Sequence, residues 1–302
     1  MERVEETERF ELDVRGSACL RRELSFRARS FATSHKLLHE FTDGGTPSVI
    51  FGRDEMGRHG NFHPASYQRI CDDPMWMKRL QKAHTAGKRA RVRANWQWKE
   101  LDCANSSDAL LMNVFCYPDV LLDSGTANVL GIDAGVQPEF GFKPRTPLHG
   151  GKSDNTEIDM RIGGLLVEAK LTESDFQWAQ RKMIDRYRDL EEIFDTAELP
   201  TLRDGQSGYQ LIRGTLAAHA TGSSFCVLCD ARRPDLMENW FKVLRAVRSC
   251  TMRCRLKLLT WQELAASLPL ELRRFLRIKY GIDIATRTNP PARCGAPGDL
   301  LL

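Results

Sequence analysis

Apolar and polar positions alternate most clearly in TEIDMRIGGLLVEAKLT, residues 156 to 172. The alternation runs on both sides of Gly163-Gly164, the pattern of two short strands joined by a two-residue turn. With the glycines in the turn, Ile162 faces Leu165, Met160 faces Val167 and Ile158 faces Ala169 on an apolar side. The opposite side pairs Arg161 with Leu166, Asp159 with Glu168, and Glu157 with Lys170. Carboxylates set directly across from each other repel, and a divalent cation between them removes that cost.

Other stretches follow helical or strand periods. Residues 62 to 85 read as short helices broken near Pro74, and SSDALLMNVFCYP reads as a helix capped by Ser106 or Ser107 and ending before Pro118. Residues 118 to 150 are rich in loop signals, with short strands expected around Val129 to Ile132 and Glu139 to Phe142. After the hairpin, Ser174 and Asp175 open a charged helix expected from Phe176 to Phe194, and YQLIRGTLAAHA gives another from Tyr209. Strands at 224 to 230 and 256 to 261 bracket the helix PDLMENWFKVLRAVRS. One or two helices and a poorly ordered tail from Thr286 complete the chain.

This order predicts an α/β fold with a mixed central sheet flanked by helices over residues 96 to 265. A mostly helical or loop extension, 1 to 95, precedes it as a possible substrate-recognition region, and a helix with a flexible tail, 266 to 302, follows. At 302 residues, 42% hydrophobic and 28% charged, the chain can bury a large core and has an ordinary soluble composition. No apolar run approaches a membrane span, and the charged N-terminus lacks the apolar segment of a secretory signal, so a cytoplasmic location is expected. Nine cysteines, an odd number, fit reduced thiols better than a disulfide framework. The net charge of +4 permits a polyanionic partner without demanding one.

The candidate chemistry centres on the hairpin. Mg²⁺ takes oxygen ligands, usually one or two carboxylates with several waters. Asp159 and Glu168 supply the carboxylates, the Ala169 carbonyl a further oxygen, and Lys170 projects to the same side as Glu168. An ammonium there would orient or deprotonate a metal-bound water, or offset charge on a scissile phosphate.

Asp159, an eight-residue spacer, then Glu168-Ala169-Lys170 resembles the signature of the PD-(D/E)XK nuclease superfamily, the restriction-endonuclease-like fold. The element order around it, over residues 106 to 262, is similar as well. The resemblance implies a Mg²⁺-dependent endonuclease, with Mn²⁺ as a substitute, in which Asp159 and Glu168 bind metal and Lys170 is the catalytic lysine. Ile158 stands where the family often has proline. The resemblance also implies a nucleic-acid substrate, DNA by family habit, a role in restriction, defence or repair, and leaves room for a homodimer. A catalytically silent nucleic-acid-binding module on the same fold is the rival reading.

Auxiliary candidates surround this core. Glu157 would hold Lys170 or join the metal site, Asp108 sits where the family often places another acid, and Gln210 and Arg213, three apart on one helix, would face the site and touch phosphate, Arg213 as a nucleic-acid contact. Capping explains Asp108 as readily. Lys82 and the basic run Lys88, Arg89, Arg91 and Arg93, close to Trp96 and Trp98, suit a nucleic-acid backbone with exposed bases. Cys226 and Cys229 lie in one strand on opposite faces, which argues against zinc. Gly60 and Pro64 argue against a helical metal pair of His59 and His63.

Overall fold

In a computed structural model, which describes residues 14–42, 47–83 and 98–284, the hairpin is the middle of a five-stranded sheet. Its strands are β1 (Pro138–Phe142), β2 (Ile158–Ile162), β3 (Leu165–Ala169), β4 (Ser224–Cys229) and β5 (Leu256–Thr260). They lie side by side in the order β5-β4-β3-β2-β1. β3, β4 and β5 run parallel, while β2 is antiparallel to both β3 and β1. The sheet is therefore mixed, with the expected architecture.

Gly163 takes a φ of 54°, a left-handed value open to glycine at the first position of a tight hairpin turn. The pairs Ile162↔Leu165, Arg161↔Leu166 and Met160↔Val167 follow as expected from that turn. The backbone ladder then opens. Instead of continuing it, the Ala169 N–H donates to Oδ2 of Asp159 at 2.8 Å. Ile158, expected on the apolar side with Met160 and Ile162, packs into the opposite layer with Leu166 and Phe225.

Each face of the sheet carries its own apolar layer. One gathers Met160, Val167 and Leu228 with Leu20 and Leu24 of helix α1 (Cys19–Ser34). Leu110, Leu111 and Val114 of α4 (Ser107–Phe115) and Leu272 and Leu276 of α8 (Leu270–Tyr280) complete it. The other gathers Leu166, Phe225 and Val227 with Leu211, Ile212 and Leu216 of α6 (Tyr209–Thr221) and Trp240 of α7 (Pro234–Arg245). Cys226 lies in the first layer and Cys229 in the second, so the two thiols are separated by the sheet. Gly214 lets α6 settle on β4, since a Cβ there would collide with the Phe225 ring. Gly214→Ala is expected to overpack this layer and cost about 1–3 kcal/mol, read as a lower urea midpoint with unchanged slope.

Before the sheet, α2 (Pro64–Asp72) and α3 (Pro74–Arg79) are the short helices expected around Pro74. His63 caps α2 by accepting from the Ala65 N–H, while His59 pairs with Asp102 at 3.1 Å. The two histidines thus have capping and packing roles. Two expected elements are absent. Val129 falls in α5 (Ser124–Leu130), capped by Asp123 and stopped by Gly131 at φ 67°, and not in a strand. The long helix from Phe176 to Phe194 is replaced by a strand, Trp178–Gln180, and two helical turns, Arg181–Ile184 and Leu190–Ile193. Gln177 at φ 62° turns the chain there, with its N–H held by Asp175. The strand then pairs with Gly205–Ser207.

Candidate active site at the open end of the hairpin

Where the ladder between β2 and β3 opens, Asp159, Glu168 and Lys170 come together. Lys170 Nζ donates to Glu168 Oε1 at 2.8 Å, and both side chains are almost wholly buried. Gln210 of α6 donates to the same oxygen at 2.8 Å. Arg213, one turn on, lies 3.9 Å from Glu168 Oε2 and donates to the Glu157 carbonyl at 3.2 Å. Among the described residues Glu168 Oε2 is buried and has no hydrogen-bond donor. A buried carboxylate oxygen without a donor is costly unless something cationic completes it.

The charges agree with that geometry. Burial, followed by the Glu168 and Asp108 carboxylates, pushes the half-buried Asp159 carboxyl well above its usual range, against the pull of Lys170 and the Ala169 N–H. Burial alone would lower Lys170, yet Glu168, Glu173 and Asp159 outweigh it and hold the ammonium above the usual lysine range. Lys170 is therefore a resident cation. Asp159, raised by its acidic neighbours, beside a Glu168 oxygen that lacks a hydrogen bond, is a donor set suited to a hard divalent cation, which prefers oxygen and keeps waters for its remaining positions. Among the described residues no cluster of three or more His, Cys, Asp or Glu has the makings of an all-protein metal cage. The residues present fit Mg²⁺ held by two carboxylates and solvent.

Asp159→Asn keeps an acceptor for the Ala169 N–H and removes one of the repelling charges. In metal-free buffer the variant is expected to unfold about 1–2 kcal/mol later than the wild type near neutral pH. A raised carboxyl pKa means that folded protein holds its proton longer than unfolded protein, so stability falls as pH rises from about 3.9 through the folded value. The advantage of the variant should widen over that window. Urea titrations at several pH values measure it, and an advantage that shrinks with rising pH contradicts the electrostatic reading.

The auxiliary residues are arranged differently from the sequence expectation. Glu157 does not face Lys170; its Oε2 accepts from Arg79 at 2.8 Å. Ser106, not Asp108, caps α4, and Asp108 is buried between Arg79, at 3.2 Å, and Lys82. Lys82 is thereby engaged by an acid beside the site. Arg213 is buried rather than displayed on a surface. Lys88, Arg89, Arg91 and Arg93 lie outside the described residues. Arg79, which no periodicity or spacing brings to the hairpin, is the residue that sequence reading missed. Its only local signal is a basic pair, Lys78-Arg79, at the end of a proline-started helix.

A family model described as restriction endonuclease associating with ARP matches residues 27–281. No curated protein and no solved structure matches the chain. Among the described residues no helix is long and apolar enough to cross a membrane.

Proposed function

Because the chain belongs to the family described as restriction endonuclease associating with ARP, we propose that it is a metal-dependent nuclease with a PD-(D/E)XK site, hydrolysing phosphodiester bonds in DNA. The observation that carries this reading is the buried Glu168 carboxylate, aligned by Lys170 and Gln210 through one oxygen and, among the described residues, without a hydrogen bond at the other, where Arg213 lies 3.9 Å away. Asp159, Glu168 and the Ala169 carbonyl would hold Mg²⁺ or Mn²⁺. Bound there, the metal would supply Lewis acidity and a water acidic enough to attack phosphorus.

The chain's own groups do the rest. Gln210 and Arg213 fix the Glu168 carboxylate, so it needs no reorganisation when the substrate arrives. The Ala169 N–H restrains Asp159 in the same way. Lys170, charged and held by Glu168, offsets the negative charge that grows on the phosphate as the water oxygen bonds to phosphorus and the P–O bond to the leaving strand breaks. DNA as the substrate, and ARP as a partner, enter the proposal through the family alone.

The test is incubation with single-stranded, duplex and structured DNA and RNA, in Mg²⁺, in Mn²⁺ and in EDTA. Cleavage of DNA is expected with either metal and none with EDTA. Cleavage that survives EDTA would remove the metal from the mechanism.

A further inference from the structure

The acids beside the site are more numerous than one divalent cation needs. Glu157 lies two residues before Asp159 in the chain, and Asp108 reaches the same place from α4. Both are held by one guanidinium. Arg79 donates through Nη1 to Glu157 at 2.8 Å and through Nη2 to the two oxygens of Asp108 at 3.2 and 3.4 Å, with Lys82 on Asp108 as well. The Arg79 side chain is 10% exposed, and among the described residues its buried Nε has no acceptor.

The backbone makes room for this arginine. Gly141 lies on β1 between the pairs Phe140↔Met160 and Phe142↔Ile158, which puts it beside Asp159. Its φ is 70°, and a Cβ there would strike the Arg79 guanidinium. α3, which carries Arg79, is fastened to the same strand by the Trp76 indole N–H, which donates to the Pro138 carbonyl at 3.1 Å. A fixed helix therefore inserts a permanent positive charge among three carboxylates, through a gap that only glycine leaves open.

Two-metal sites place their ions roughly 3.5–4 Å apart, bridged by shared acids. As they stand around Arg79, no three acids converge on a cation among the described residues; with the guanidinium gone, Asp108 and Glu157 would complete a second position that shares Asp159. We propose that Arg79, backed by Lys82, stands in for a second divalent cation and limits the site to one metal ion. The inference rests on the metal-binding reading of Asp159 and Glu168. A resident arginine neutralises the outer acids at every metal concentration, whereas a second ion would leave when metal is scarce. Its planar fork also fixes Asp108 and Glu157 in direction, as a point charge on a flexible stem would not.

The test is the number of Mn²⁺ ions bound, followed by calorimetry and by electron paramagnetic resonance, with circular dichroism to check folding. Wild-type protein should bind one ion and give an uncoupled spectrum. The double variant Arg79→Gln with Lys82→Gln should bind two, and their closeness should appear as spin coupling. Adding Asp108→Asn to the double variant should return the count to one. If the double variant does not fold, Arg79→Gln alone carries the same expectation of a second, weaker ion. Two ions in the wild type, or one in both wild type and the folded variants, overturns the inference while leaving a metal at Asp159 and Glu168. Absence of binding in every protein, including wild type, removes the metal-binding reading itself and this inference with it.

Discussion

Glu168→Gln is expected to lower kcat for metal-dependent cleavage by at least about 10²–10³-fold, the range set by losing one preorganised electrostatic contact. The amide keeps the size of the carboxylate and an acceptor for Lys170 or Gln210, but loses the charge that binds metal. Lys170→Met should fall in the same range for a different reason: its ammonium acts on charge that develops only in the transition state. For Lys170→Met the drop belongs in kcat, with KM little changed, because a side chain so well buried adds little to ground-state binding. The two groups touch, so the double variant should be scarcely worse than either single one. Single-turnover cleavage with folded, purified variants measures all three. Activity in Glu168→Gln within a few-fold of wild type would place the metal elsewhere.

The second large effect is on stability. Arg233 is wholly buried at the start of α7 and holds the segment that follows β3. Its guanidinium donates to the carbonyls of Leu171 at 3.4 Å, Glu173 at 2.7 Å and Ser174 at 3.0 Å, and pairs with Asp235 at 2.7 Å. Arg233→Ala leaves those carbonyls without donors, opens a cavity and strands the Asp235 carboxylate. A loss of about 3–5 kcal/mol is expected, mostly from the buried carbonyls left without donors and the cavity, since Asp235 is half-buried. Chemical denaturation reads it directly. Arg233→Lys should recover only part, since one ammonium cannot reach all the directions the planar fork serves. Because this residue fastens the chain immediately after Lys170, cleavage should decline together with stability. A loss below about 1 kcal/mol would mean the loop is held by other contacts.

The hairpin was legible because two independent signals agreed. The Gly-Gly turn set the register, and the apolar period set the faces, so the pairs from Ile162 to Met160 could be named from the sequence. α4, α6, α7 and the last strands carried equally local signals in caps, prolines and apolar runs. α5 was misread although its marks were present: Asp123 at the cap and Gly131 in the left-handed stop outweigh the strand preference of Val129 and Ile132. The region after Asp175 misled because its charge period is helical, while Gln177 takes a backbone angle that breaks the helix before it starts. Glu157 shows the limit of a different kind. Opposite charges across a hairpin suggested Lys170 as its partner, yet the arginine that holds it comes from 78 residues earlier in the chain. No local pattern encodes a meeting at that separation. Lys170 instead turns to Glu168 on its own strand, where burial leaves the pair little choice but each other.

β1 closes one side of the sheet, and a strand in that position ordinarily offers unpaired peptide groups to any passing chain. The Trp76 indole covers one of those groups, the Pro138 carbonyl, and brings α3 with it. The same short helix thus covers part of the sheet's edge and places a charge beside the candidate site. Removing this helix would therefore free the acids and uncover the rim of the sheet in a single step.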